Sequence, residues 1–192
     1  MKKPVWIPIV IGGLLGILDL ASWAGDFVIP LGPYGATGPQ EIFITMSAAL
    51  GGPLGLFVTC LLHEVGNYAF SLVTLFSPEE VASTGTLYSI ADFSAHVLAA
   101  LTVAYCYKVL HERAQKEYVF IAGWILVVVI YYTLLVPLQF FLVGFVIDLP
   151  PLSVLFRNFL PELLVVAIIS MLMWIALPRR YRRPLWFQRS PD

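Results

Sequence analysis

Long apolar stretches, separated by short polar segments, repeat along the whole 192-residue chain. The hydrocarbon core of a bilayer is about 30 Å thick, so a helix that crosses it needs about 20 mostly apolar residues. Most of the stretches have about this length. The pattern therefore predicts six membrane-spanning helices, at Val5–Val28, Glu41–Leu50, Gly55–Phe76, Leu87–Leu110, Tyr118–Val146 and Ser153–Leu177.

The second predicted helix, Glu41–Leu50, is shorter than the other five. Gly51, Gly52 and Pro53 separate it from the third helix, and glycine followed by proline is typical of a turn. The pattern thus favours a tight helical hairpin made of the second and third helices. A five-span interpretation, in which Glu41–Leu50 is a re-entrant or interfacial segment, stays open.

The composition agrees with a membrane protein and excludes several other classes. Hydrophobic residues make up 59% of the chain and charged residues 12%, whereas soluble domains have about 45–50% and 25%. A net charge of −1 and only two cysteines exclude a nucleic-acid-binding protein and a disulfide scaffold. We therefore expect an all-α, polytopic integral membrane protein of the cell membrane, in which residues 1–177 form one transmembrane domain.

Basic residues indicate the orientation of the chain, because lysine and arginine are enriched on the cytoplasmic side of a membrane. With six spans, ten of the eleven lysines and arginines fall on one side, and only Arg157 falls on the other. This distribution predicts that both termini are cytoplasmic. Residues 178–192, which carry five arginines, form a basic cytoplasmic tail in this prediction.

Polar and charged residues inside the predicted helices mark a candidate binding site. A charged side chain inside a bilayer costs about 2.5–3.5 kcal/mol on insertion scales, so its presence points to function. Nearly all of these residues lie at the centre or in the outer half of their helices, and we expect the proline- and glycine-rich loop Pro30–Pro39 to cover them as a lid. The predicted substrate-binding residues are Asp19, His63, Glu64, Asn67, Asp92, His96, Arg157, Asn158 and Glu162.

Other interpretations of these residues stay open. The polar side chains can satisfy each other as structural contacts between helices, and His63 and His96 can bind a haem or a metal ion. His63 and Glu64 begin like the zinc motif H-E-x-x-H, but Asn67 replaces its second histidine. We therefore predict no enzymatic activity, no catalytic residue, no cofactor and no metal site.

Three segments of the chain are similar to segments of one known family of membrane proteins. Residues 46–56, MSAALGGPLGL, are similar to the turn between the second and third helices of that family. Residues 92–101, DFSAHVLAAL, are similar to its fourth helix, and residues 160–164, LPELL, to the start of its last helix. With its six predicted spans and long first outer loop, the chain thus resembles the substrate-binding (S) components of energy-coupling factor transporters.

The resemblance implies a substrate-capture subunit of a vitamin or micronutrient importer, with no ATPase of its own. The implied partners are a small-molecule ligand, a membrane coupling subunit, ATPases and the lipid bilayer, with no nucleic acid. Small residues on the first helix of the family pack against the coupling subunit, a role that falls here on Gly12 and Gly16. Five acidic residues against one arginine near the site favour a cationic ligand. The alternative function is a non-transport membrane subunit or a sensor-like transmembrane domain.

Overall fold

The computed structural model describes residues 6–25, 27, 29–30, 36–72, 81–114, 116–178, 181–182, 184 and 186. This part of the chain is a bundle of apolar helices. They are α1 (Trp6–Ala24), α2 (Gln40–Gly66), α3 (Thr86–Arg113), α4 (Glu117–Leu142) and α5 (Leu152–Ala176). Two π-helical segments, Asn67–Leu72 and Val81–Gly85, extend α2 and precede α3, and a 3-10 turn, Val143–Phe145, follows α4.

Five helical segments of the described residues are long and apolar enough to cross a membrane. This finding confirms the prediction of an all-α chain with several long apolar helices. Large apolar side chains cover the outside of the bundle, and Leu14 and Leu126, for example, are more than half exposed. Such a surface suits contact with lipid, because soluble proteins rarely expose apolar patches of this extent.

Helix α2 reverses direction at Gly52. This residue has φ 63° and ψ −160°, a backbone conformation that glycine adopts far more readily than other residues, and Pro53 follows it. The hydroxyl oxygens of Ser47 and Thr59 are 2.7 Å apart across the turn, whereas twelve residues of straight helix extend about 18 Å. Residues 40–51 and 53–66 therefore form the two arms of a helical hairpin, as the sequence predicts.

The first arm of the hairpin is shorter than a full membrane span. Its residues, 40–51, extend about 18 Å, while the hydrocarbon core is about 30 Å thick. The chain reaches this arm through a two-stranded ribbon, in which β1 (Ile29–Pro30) pairs antiparallel with β2 (Ala36–Thr37). The ribbon belongs to the loop predicted as a lid, and residues 31–35 of that loop lie outside the described residues. Six complete crossings therefore stay a prediction.

Both ends of the described chain meet the hairpin turn. Trp186 donates from its indole Nε1 to the Ala49 carbonyl oxygen over 3.3 Å. The Pro8 carbonyl oxygen lies 3.4 Å from the position that a Cβ atom would take at Gly51. The first turn of α1 and the segment after α5 therefore lie at the same end of the bundle.

Glycines bring α1 close to the second arm of α2. A Cβ atom at Gly12 would overlap the backbone of Gly55, and one at Gly16 would lie 2.6 Å from Leu62 Cδ1. The Thr59 hydroxyl oxygen lies 3.0 Å from the Gly12 carbonyl oxygen across this contact. Both glycines are thus used for helix packing within the chain. That the same glycines also pack against a coupling subunit stays a prediction.

Large aromatic side chains fill the core near the hairpin turn. Phe120 and Trp174 stack with ring centroids 4.1 Å apart. Trp174 donates from Nε1 to the Tyr107 hydroxyl over 2.9 Å, and Tyr107 donates to the Arg182 carbonyl oxygen. Trp124 packs edge-on against Tyr107 with ring centroids 5.7 Å apart. These four rings, at positions 107, 120, 124 and 174, are called the aromatic cluster below.

Candidate functional site

Six ionisable side chains from three helices meet inside the bundle. They are four carboxylates and two imidazoles, and each residue is at most 7% exposed. Burying charge in an apolar environment is costly unless partners compensate, so the pairing of these groups decides what they can do. The carboxylate–histidine cluster consists of Asp19 from α1, Glu41, His63 and Glu64 from α2, and Asp92 and His96 from α3.

His63 is held in one orientation by Asp19. Its Nδ1 atom lies 2.9 Å from Asp19 Oδ2, and the rings of Trp23 and His63 are 5.7 Å apart by their centroids. An ionised carboxylate only accepts hydrogen bonds, so Nδ1 donates in this contact. A neutral imidazole then presents a lone pair at Nε2, and this atom lies 4.0 Å from Glu64 Oε1.

His96 uses both of its ring nitrogens. Nδ1 lies 2.9 Å from the Asp92 carbonyl oxygen, which can only accept, so this nitrogen donates. Nε2 lies 2.9 Å from Glu41 Oε1, and the other oxygen of Glu41 accepts from the Tyr131 hydroxyl. The imidazole rings of His63 and His96 have centroids 5.3 Å apart. Two oriented imidazoles therefore lie beside each other in the cluster.

Glu64 and Asp92 have oxygens with spare hydrogen-bonding capacity. Among the described residues, Glu64 Oε1 is buried without a hydrogen-bond partner, and Oε2 lies a long 3.5 Å from the Asn67 amide nitrogen. Asp92 Oδ1 accepts from Gln139 Nε2 over 3.0 Å, while Asp92 Oδ2 lies 3.5 Å from His96 Nδ1. Acceptor oxygens with unfilled lone pairs therefore converge on the two histidines.

Four members of the cluster have the spacing of metal ligands. One possible ligand atom from each of His63, Glu64, Asp92 and His96 lies within 4.8 Å of the other three. The four carboxylates of the whole cluster outnumber its two imidazoles, so the cluster is negative when all four are ionised, even with both rings protonated. In the described part of the chain, the ion pairs of these carboxylates are with the two histidines. A nearby positive charge is what stabilises such a group.

Helical spacing brings these residues to one level. Glu41 lies eleven residues before Gly52 and His63 lies eleven residues after it, so the two hairpin arms carry them to the same height. Eleven helical residues extend about 16 Å from the turn. On α3, Asp92 and His96 are four residues apart and therefore share a face.

A groove of about 310 Å³ opens beside the cluster, between the second arm of α2 and the start of α3. Glu64 is the charged residue of its lining, and it connects the groove with the cluster. The remaining walls are mostly apolar and aromatic, so the groove suits an apolar ligand or the apolar part of a ligand. These walls are formed by Phe57, Leu61, Tyr68, Thr86, Ser89, Ile90 and Phe93.

The structure brings six of the nine predicted binding residues together. They are the cluster members Asp19, His63, Glu64, Asp92 and His96, with Asn67 beside Glu64. Glu162 is buried beside the Tyr132 hydroxyl and is not part of the cluster. Arg157 and Asn158 are exposed at the start of α5. The predicted arginine therefore does not balance the charge of the cluster.

Three residues that complete the contacts of the cluster are absent from the sequence-based prediction. Glu41 begins a short helix, where a charge at a membrane surface would be ordinary. The spacing of eleven residues on either side of Gly52 is the signal that identifies it, once the hairpin is assumed. Tyr131 and Gln139 lie in α4 and are uncharged, so the sequence does not distinguish them from packing residues.

Comparison with protein-family models, curated proteins and solved structures gave no match for this chain. The resemblance to S components therefore stays a prediction based on short segments.

Proposed function

We propose that this chain is the substrate-capture membrane subunit of a micronutrient importer and that it binds a cationic substrate in the carboxylate–histidine cluster. In this proposal the chain lies in the cell membrane, with six spans and both termini in the cytoplasm. A membrane coupling subunit and ATPases supply the energy. The observation that carries the proposal is the buried excess of carboxylates over imidazoles at the centre of the bundle.

The charge of the cluster favours a cation over an anion. Four buried carboxylates face two imidazoles, and repulsion between like charges is strong in an interior of low dielectric constant. A bound cation relieves this repulsion, whereas an anion would increase it. The exposed position of Arg157 leaves an anionic ligand without the arginine that the sequence offered for it.

A purely structural role explains the cluster less well. Polar contacts between membrane helices stabilise a bundle when their hydrogen bonds are satisfied. Asp19 Oδ1 and Glu64 Oε1 are buried without hydrogen-bond partners among the described residues, and such atoms cost free energy. Unfilled acceptors at the centre of a negative cluster suit a site that a cation completes.

The contacts at the hairpin turn support the proposed topology. The first turn of α1 and Trp186 lie at the same end of the bundle. At that end, Arg182 pairs with Glu117 over 3.4 Å, next to the basic connection between α3 and α4. The enrichment of lysine and arginine on the cytoplasmic side of membranes assigns this end to the cytoplasm. The cluster then lies near the middle of the membrane, because eleven helical residues extend about 16 Å from the turn into a hydrocarbon core about 30 Å thick.

The test is to identify what the chain binds and which subunits accompany it. We would express the tagged chain in its own host, extract it gently and examine it by native mass spectrometry. We expect a bound cation, together with a coupling subunit and ATPases. A chain that carries an anion, or that copurifies with neither a ligand nor these subunits, would contradict the proposal.

A matched pair of variants tests whether the cluster is the site. Glu64→Gln removes one carboxylate charge from the cluster and keeps the size of the side chain. Glu117→Gln makes the same change at an exposed position outside the cluster. We expect the bound cation to be lost in the first variant and retained in the second. Equal cation content in the two folded variants would place the binding site elsewhere.

A further inference from the structure

We propose that His63, Glu64, Asp92 and His96 bind one divalent transition-metal ion. This inference rests on the proposed function for the role of the ion as imported substrate. The four proposed ligands lie on the second arm of α2 and on α3.

The space between His63 and Glu64 has the dimensions of a metal site. His63 Nε2 and Glu64 Oε1 are 4.0 Å apart, which is too far for a hydrogen bond. Two ligands at about 2.1 Å from a zinc ion are about 3.4 Å apart in tetrahedral geometry and about 4.2 Å apart when they face each other across the ion. An ion between these two atoms therefore requires only a small movement of either side chain.

His63 has the orientation of a metal ligand. A metal-binding histidine almost always donates its second ring N–H to a carboxylate, a backbone carbonyl or water, which fixes the tautomer and the direction of the ring. The 2.9 Å contact between His63 Nδ1 and Asp19 Oδ2 has this arrangement. It leaves Nε2 on the side of Glu64. Asp19 is thus a positioning residue for the metal site.

Asp92 and His96 complete the set of four ligands. Gln139 holds Asp92 Oδ1, which leaves Oδ2 on the side of His96 at 3.5 Å from Nδ1. Both nitrogens of His96 form hydrogen bonds, to the Asp92 carbonyl oxygen and to Glu41. His96 therefore joins the ion by exchanging one of these bonds for a bond to the metal, while the other bond holds the ring.

A buried oxygen of Glu64 without a hydrogen-bond partner in the described part of the chain also points to a ligand. Glu64 is 7% exposed, and among the described residues its Oε1 atom has no hydrogen-bond partner. Glu64 also lines the 310 Å³ groove beside the cluster. A buried carboxylate oxygen without a donor is costly in a purely structural site, and a bound cation removes that cost.

The donor atoms indicate the class of ion. Imidazole nitrogen suits zinc, iron, nickel and copper, whereas magnesium and calcium prefer sites made of oxygen alone. The group contains two imidazoles and two carboxylates, and no cysteine belongs to it. This set favours borderline divalent ions such as Zn²⁺ and Co²⁺ over both Mg²⁺ and the thiolate-seeking Cu⁺.

The test uses the full-length protein in lipid nanodiscs, first stripped of metal with a chelator. Titration with Zn²⁺ and Co²⁺ by calorimetry gives affinity and stoichiometry, and the visible absorption of Co²⁺ reports its coordination geometry. We expect one ion per chain and no displacement by excess Mg²⁺. Glu64→Gln and Asp92→Asn should each weaken binding by more than about 100-fold, and Asp19→Asn should weaken it by about 10- to 100-fold.

The control variant for this titration is Glu117→Gln, which should bind the ion with unchanged affinity. Unchanged affinity in folded Glu64→Gln and Asp92→Asn would overturn the metal site, as would a wild-type chain that binds no Zn²⁺ or Co²⁺. If that chain still carries an organic cation by native mass spectrometry, the metal site fails and the proposed function stands. If it carries no cation of either kind, both fail.

Discussion

Helix α3 contributes to two buried regions, which differ in whether their buried polar atoms have hydrogen-bond partners. In the aromatic cluster, Trp174 Nε1 donates to the Tyr107 hydroxyl over 2.9 Å. Trp124 Nε1 likewise donates to the Ser170 hydroxyl over 2.9 Å, so both buried indoles have partners. In the carboxylate–histidine cluster, Glu64 Oε1 has none among the described residues, and the acidic groups outnumber the basic ones.

This contrast separates a region that stabilises the fold from one that is prepared for a ligand. A satisfied buried hydrogen bond adds a modest amount to stability, whereas a buried polar atom without a partner costs about 1–3 kcal/mol. The aromatic cluster buries large rings, and its two indoles have hydrogen-bond partners. The carboxylate–histidine cluster contains buried oxygens without partners among the described residues, and a bound cation would recover the free energy lost there. The two regions should therefore respond independently to mutation.

The largest expected effect is at the aromatic cluster. Trp174→Ala removes the stacking with Phe120 and the hydrogen bond to Tyr107. We expect the free energy of unfolding to fall by about 3–5 kcal/mol, with cation affinity unchanged in protein that remains folded. Thermal melting in detergent and calorimetric titration would measure the two quantities. Normal stability combined with lost cation affinity in Trp174→Ala would contradict the separate roles of the two regions.

A smaller effect is expected where α1 crosses the second arm of α2. Gly12→Leu places a side chain where the Gly55 backbone lies, and overpacking of this kind costs about 1–3 kcal/mol. Because the crossing also sets the contact between Asp19 and His63, the variant should lose both stability and cation affinity. Gly13→Leu is the matched control, since a Cβ atom there meets nothing within 4 Å. Equal melting temperatures for the two variants would contradict this account.

A change of opposite sign is expected at the carboxylate–histidine cluster. Without added cation, Glu64→Gln should raise the free energy of unfolding by about 1 kcal/mol, because it removes a buried charge from a negative cluster. For a chain of this size, such a gain corresponds to about 2–4 °C in melting temperature. The wild-type protein should instead be stabilised by added cation. A lower melting temperature for Glu64→Gln without cation would show that this carboxylate stabilises the fold.

The smallest effect is expected at Arg157. The side chain is exposed at the start of α5, and exposed substitutions usually change stability by less than about 0.5 kcal/mol. Arg157→Gln should therefore leave both melting temperature and cation affinity unchanged. Loss of the native ligand in this variant, measured by native mass spectrometry, would indicate an anionic ligand and a site outside the cluster.

Parts of the candidate site can be predicted from the sequence because charge inside an apolar helix is rare. Asp19, His63 and Asp92 stand out in this way, and the structure places all three in the cluster. Arg157 is equally polar but is exposed, since its position near a helix end lets the side chain leave the bundle. A polar residue in a span is thus visible in the sequence, whereas the direction of its side chain depends on how the helices pack.

The sequence by itself determined that this chain is helical, apolar and reversed at Gly52, because composition, hydrophobic length and turn residues act locally. The tertiary structure decided that Glu41 joins His96 and that Gly12 packs against Gly55 within the chain. Each of these contacts joins residues more than 40 positions apart. Such contacts depend on the rotation and height of whole helices, which no local pattern specifies.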